Sequence, residues 1–196
     1  MKPYNPFKKE QRQIKGKFHP RRQKSRREEA EFGLGKENIL VCEKCSAIYC
    51  CKSWKARFED VPRLKESKNI KFVLCPACQQ ILEKKYEGEI ILENVPNDFK
   101  EEIKALVKNY GKKASMKDPM DRVISIEEQK ICRVTAGRKR KAISRKNFRG
   151  LKNIRILTTE NQLAVRLAQK INEIFGGKLS ISYSHQEDTA RIKITF

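Results

Sequence analysis

Two Cys-x-x-Cys pairs, Cys42/Cys45 and Cys75/Cys78, constrain this chain more than any other feature. A tight turn lets both thiols of such a pair reach one ion, and two pairs supply the four vertices of a tetrahedral zinc site. The 29 residues between the pairs exceed the compact zinc-site templates, so a β-ribbon or a short helix is expected to bridge them. Cys42, Cys45, Cys75 and Cys78 are therefore the expected ligands of one Zn²⁺ per chain. A redox Cys-x-x-Cys fits one pair better than two. Disulfides are not expected, because the N-terminus carries no secretory signal. Cys50 and Cys51 leave two readings open. One of them replaces a predicted ligand, or both are small buried hydrophobes outside the site. Cys132, alone at the edge of a basic segment, is read as a non-ligand. Trp54 is expected to pack against the metal module, with an RNA-facing position as the alternative.

The net charge of +21 is segregated. Residues 1–27 hold 11 basic side chains and one acid, residues 130–155 hold 11 and none, and the remainder balances at 23 of each sign. A mixed-sign run is ordinarily a solvated face, but single-sign blocks of this length repel themselves and are ordered by a polyanion. Nucleic acid is the expected polyanion. Neither block has the apolar face an anionic membrane would require, and no apolar run is long enough to span one. An Arg-rich organellar transit peptide is a further reading of the N-terminus. Candidate RNA contacts are Arg21, Arg22, Lys24, Arg26 and Arg27 in the first block. In the second they are Arg138, Lys139, Arg140, Lys141, Arg145, Lys146 and Arg149. Tyr4, Phe7, Phe18 and His19 are interleaved with the first block, where they either stack on unpaired bases or anchor the segment to its own body.

The chain divides into a basic extended tail (1–38), a zinc-binding module (39–87) and an α+β domain (88–196) that carries a basic insertion at 130–153. In the last part "GEIILENV" reads as a buried strand. "DFKEEIKALVKNY" follows as a helix, with Asp98 and Glu101 in a capping-box pattern and Gly111 as a C-terminal stop. "DRVISIEE" and "NIRIL" are strands on either side of the insertion. Thr159 and Gln162 form a second capping-box pattern, opening a helix faced by Leu163, Leu167, Ile171 and Ile174 and ended by Gly176-Gly177. "KLSISYS" and "ARIKITF" alternate as half-buried strands joined across "HQED". The expected fold is α+β: a zinc-ribbon-like module, then a split β-α-β (ferredoxin-like) antiparallel sheet with two helices on one face. The insertion far exceeds the usual two to six or so residues of a connection.

No nucleotide-binding loop, zinc-protease helix or nucleophile elbow occurs, and the acids lie dispersed, so no catalytic residue and no small-molecule substrate are expected. Two function classes fit the metal and the charge. One is a non-enzymatic RNA-binding protein. The other is a zinc-ribbon DNA-binding regulator, against which counts the lack of an evident recognition helix.

"CPACQQILEKKYEGEIILENV" and "LTTENQLAVRLAQKINEIFGGKLSISYSHQEDTARIKITF" together resemble the Nmd-three family, adaptors for export of the large ribosomal subunit in eukaryotes with shorter archaeal relatives. Cys75, Pro76, Cys78, Tyr86, Glu87, Ile90, Leu92, Phe175, Gly176, Gly177 and Lys178 carry the resemblance, which covers residues 40–196 apart from the insertion. The chain looks like a bacterial or archaeal relative of the family's zinc-containing N-terminal region. Two Cys-x-x-Cys pairs, fewer than the family carries, imply one zinc. The resemblance implies binding to large-subunit rRNA and neighbouring ribosomal proteins rather than nuclear export, in a ribosome-associated protein acting in the cytoplasm as an assembly factor or a permanent component.

Overall fold

The structure, a computed structural model, describes residues 29–33, 38–57, 59, 69–129, 152–184 and 188–196. It is a mixed α+β chain with two mixed sheets.

The first sheet contains β1 (Asn38–Cys42), β2 (Ile48–Cys50), β3 (Ser53–Lys55) and β4 (Asn69–Val73) in the order β3-β2-β1-β4. β1, β2 and β3 form an antiparallel meander. Cys51 and Lys52 join β2 to β3 with φ of 53° and 65°, the left-handed backbone a two-residue hairpin turn needs to match strand twist. β4 then pairs parallel with β1, from Asn38 opposite Asn69 to Cys42 opposite Val73. Alternation along β1 and β2 sends Leu40, Cys42 and Tyr49 to one face and Ile39, Val41, Ile48 and Cys50 to the other. Residues 29–32 form a helical turn. Its Phe32 ring lies 5.5 Å from Tyr49 and 5.4 Å from Trp54, and Tyr49 donates to the Gly33 carbonyl at 3.0 Å. This part of the expected tail is thus not extended: an aromatic cluster clamps it to the module, and Trp54 packs there as expected.

A short helix, α1 (Pro76–Leu82), leads into the second sheet: β5 (Gly88–Val95), β6 (Val123–Gln129), β7 (Lys152–Thr158), β8 (Lys178–Ser184) and β9 (Thr189–Thr195). Its helices are α2 (Asn97–Lys117) and α3 (Asn161–Phe175). The element order matches expectation, but the sheet is not antiparallel. Strand order is β6-β7-β5-β9-β8, and β9 runs parallel to β5. The chain leaves α3, lays β8 at the outer edge and turns back, so that β9 slots between β8 and β5. Ile192 and Ile194 explain the choice: they are fully or nearly fully buried, whereas β8 offers Leu179 and Ile181 only partly buried and Tyr183 exposed, as suits an edge. Ile90, Leu92, Ile154, Ile156, Ile192 and Ile194 join Ile103 and Val107 of α2 and Leu167 and Ile171 of α3 in one core. On the opposite face of the sheet charges are paired across strands. Arg155 meets Glu89 at 2.6 Å and lies over the Tyr86 ring, and Lys193 meets Glu93 at 2.7 Å.

Three local expectations fail for tertiary reasons. α2 does not stop at Gly111 but runs to Lys117. Gly111 is buried against Val123, whose Cγ2 would lie 2.7 Å from a Cβ, so this glycine serves close packing of helix on strand. Neither capping box forms: α2 starts at Asn97 and α3 at Asn161, each without a side-chain cap. Thr159 instead donates to the Met120 carbonyl and accepts from Arg122 N–H.

The expected insertion falls between β6 and β7, which are antiparallel neighbours with Gln129 opposite Asn153. Its last two residues, Lys152 and Asn153, belong to β7. Adjacent antiparallel strands need only a tight turn. Replacing residues 130–151 by a short Gly-containing turn is therefore expected to leave a cooperatively melting domain, measured by circular dichroism; loss of cooperative melting would show that the segment is part of the core.

Gly88 supplies a test of the core itself. A Cβ there would sit 2.2 Å from Thr158 Oγ1 and 2.4 Å from Ala164 Cβ, pinned between strand and helix. Gly88→Ala is expected to cost about 2 kcal/mol through overpacking, read as a drop in the denaturation midpoint at unchanged slope.

Candidate metal centre

The parallel pairing of β1 and β4 explains how two distant Cys-x-x-Cys pairs meet. Parallel strands end at the same edge of a sheet, and each pair begins at or just beyond the end of its strand. Cys42 closes β1, and the chain then turns tightly. Ser46 N–H donates to the Cys42 carbonyl at 2.9 Å, Cys42 N–H donates to the Ala47 carbonyl at 2.8 Å, and Ser46 takes a φ of 59°. Cys75 follows β4 by two residues and caps α1, accepting from Cys78 N–H at 3.5 Å, with Pro76 in the first turn where its missing N–H is not needed. Across the gap Cys75 N–H donates to Cys42 Sγ at 3.3 Å.

The four sulfurs of Cys42, Cys45, Cys75 and Cys78 lie within 4.8 Å of one another, with Cys45 and Cys75 sulfurs 3.6 Å apart. A tetrahedral ion with metal–sulfur bonds of roughly 2.3 Å puts neighbouring sulfurs about 3.8 Å apart, so the set fits such an ion with little adjustment. Cys42, Cys75 and Cys78 are buried, and Cys45 is partly exposed. This four-cysteine group could hold a metal ion, and all four expected ligands belong to it.

Cys50 and Cys51 do not. Their sulfurs lie 3.2 Å from each other at the β2–β3 turn, outside the cluster. Cys50 is buried, but Cys51 is exposed, so the reading of both as buried spectators holds for one only. Residues 1–28 and 130–151, with all twelve candidate RNA contacts, the interleaved Tyr4, Phe7, Phe18 and His19, and Cys132, lie outside the described residues.

The sequence reading missed Arg122. Between α2 and β6, its guanidinium donates to Cys78 Sγ at 3.8 Å and to the Pro119 carbonyl at 2.9 Å. Met120, two residues earlier, packs into the aromatic and cysteine core of the first sheet. The α2–β6 loop thus ties the metal module to the second sheet. Arg122 offers a positive charge to a cluster that carries two net negative charges once four thiolates hold a dication. Nothing in the sequence pattern marks a contact between residues 44 positions apart.

The thiols are tuned unequally. Burial works against the Cys42 thiolate, but N–H groups of Cys75, Cys45 and Lys44 outweigh it and bring Cys42 to about 6. Burial pushes Cys75 far up and Cys78 up to about 11. Above about pH 9 the cation-free folded site keeps protons on Cys75 and Cys78 that an unfolded chain, with thiols near 9.0, would release, while Cys42 has already lost its own. More protons in the folded state mean that stability falls as pH rises. The metal-stripped chain is therefore expected to lose stability between about pH 9 and 11. The loaded chain, whose thiolates are already formed, is expected instead to release metal on acidification. Thermal melts with and without chelator across pH test both signs. Elemental analysis is expected to find about one metal per chain in wild type and a loss in Cys42→Ser and Cys78→Ser.

No protein family, curated protein or solved structure matches this chain. Among the described residues no helix is long and apolar enough to cross a membrane.

Proposed function

We propose that this protein is a non-enzymatic, zinc-holding RNA-binding protein of the large ribosomal subunit, acting in the cytoplasm as an assembly factor or a resident component. The observation that carries the reading is the segregation of charge: the full excess of +21 resides in residues 1–27 and 130–155, beside a body of balanced charge. Such blocks meet phosphates through Lys and Arg on extended chain, and each neutralised phosphate releases counterions. The four-cysteine group supports a structural role for zinc, because four sulfur ligands leave no open position for catalysis. The metal module is read as zinc-ribbon-like. β5-α2-β6-β7-α3 is read as a ferredoxin-like core to which the β8–β9 hairpin is added. The resemblance to the Nmd-three family supports the choice of the large subunit and its rRNA over other polyanions.

Sedimentation of a cell lysate through a sucrose gradient tests the reading: co-migration with free large subunits or mature ribosomes is expected, and recovery in the top fraction alone overturns it. Arg138→Glu, Arg140→Glu, Arg145→Glu and Arg149→Glu together are expected to weaken subunit binding by orders of magnitude. Their salt slope should flatten by about four phosphate contacts while the melting temperature stays nearly unchanged. Equal affinity for duplex DNA and rRNA at matched salt favours the DNA-binding regulator instead.

A further inference from the structure

The wall of the metal centre opens on a groove that neither basic block accounts for. A cavity of about 810 Å³ lies between the metal module, α2 and β6, with Cys45 and Ala47 on one side and Val123 to Ile126 on the other. Its charged lining is Arg57, Lys108, Lys112 and Arg122, with no acid. Arg122 is engaged by Cys78 and Pro119. Arg57, Lys108 and Lys112 are exposed and have no ion pair among the described residues. That is a departure from the first half of α2, where Lys100 and Lys104 converge on Glu128 and those two ammonium groups, with Lys152, hold its carboxyl far below the usual carboxylate range. One helix therefore has a neutralised end and an unneutralised one, and the unneutralised end faces the groove.

We infer that this groove is a second RNA contact, taking the phosphodiester backbone of a short single-stranded segment along Lys108 and Lys112, with Arg57 on the facing wall. The inference rests on the RNA-binding reading above and deepens it. Lys108 and Lys112 stand one turn apart, about 6 Å along the helix axis, a step comparable to that between neighbouring phosphates of an extended strand. Charge complementarity selects the occupant. The chain's own basic blocks carry the same sign as the lining and are repelled from it. An anionic chain is attracted. β6 is the edge strand of its sheet, so its outer side offers backbone donors and acceptors to sugars and base edges. Met116, half exposed, and Ile126 give the bases an apolar floor. No aromatic ring lines the groove, so the contact is expected to be strongly salt-dependent and weakly selective for sequence.

The test uses the full chain and a labelled short oligouridine. In wild type, acetylation by an amine-reactive ester is expected to be blocked by the RNA severalfold more at Lys108 and Lys112 than at Lys113, which is exposed on the same helix outside the lining. By fluorescence anisotropy, Lys108→Glu/Lys112→Glu is expected to weaken binding about tenfold. It should also lower the slope of log affinity against log salt by about 1.4, for two contacts at roughly 0.7 each on a single strand. The charge-matched control Lys113→Glu/Lys178→Glu is expected to do much less on both counts. Equal protection of Lys108, Lys112 and Lys113, together with equal loss in the two double variants, overturns the groove while leaving RNA binding by the basic blocks intact. Absence of any RNA binding by wild type overturns the RNA reading itself. Protection of Lys108 and Lys112 by an acidic peptide but not by the oligouridine overturns the groove proposal in favour of strand addition at β6.

Discussion

Four sulfurs within 4.8 Å of one another, three of them buried, set the terms for the first half of the molecule. Four thiolates that close repel, and four thiols there leave weak donors facing weak acceptors. A single cation resolves both problems, because it replaces the protons and turns repulsion into coordination. The small sheet has few other contacts to hold it. β2 and β3 contain three residues each, and the sheet's principal core is a few aliphatic side chains plus Phe32, Tyr49 and Trp54. The parallel β1–β4 ladder aims both Cys-x-x-Cys turns at one point, and a cation bound there would hold the ends of that ladder together.

The centre does not stand apart from the larger sheet. Met120 enters its core, Arg122 reaches the Cys78 sulfur, and Thr159 holds both residues through the Met120 carbonyl and the Arg122 N–H. One loop thus carries packing, charge and hydrogen bonding between the two sheets. A hydrogen bond to a charged sulfur in a partly buried setting is stronger than one between neutral groups. The same loop fixes one wall of the basic groove, so the centre, the junction and the groove share a framework.

Within the described body, several charges are answered by neighbours on the second sheet and its helices. Glu89 meets Arg155, Glu93 meets Lys193, Asp121 meets Arg166, and Glu128 gathers three lysines. Glu89 and Asp121 are buried and rely on their arginine partners, whereas the more exposed pairs add little to stability. The body is balanced overall, so that the net field of the molecule comes from the basic blocks, with the acid-free groove as a local addition. Long-range attraction of a polyanion then acts on chosen surfaces rather than on the whole.

The sequence by itself determined the elements and the ligands. Cys-x-x-Cys spacing is a local property, since one tight turn makes each pair convergent, and all four members of the cysteine group were legible. The 3.6- and 2-residue periods of α2, α3, β8 and β9 are likewise local and led to the right elements in the right order. What the tertiary structure decided is everything that depends on neighbours distant in sequence. β9 lies beside β5 and parallel to it because Ile192 and Ile194 need the centre of the sheet, a competition between strands that no single strand's pattern reveals. Gly111 reads as a helix stop, yet it is the place where α2 closes on Val123. Thr159 reads as a cap, yet it ties a loop 37 residues away in sequence. Cys50 and Cys51 match the ligands in kind and differ only in where a hairpin turn puts them. Arg122 has no local signature, because its role exists only once Cys78 has been folded against it.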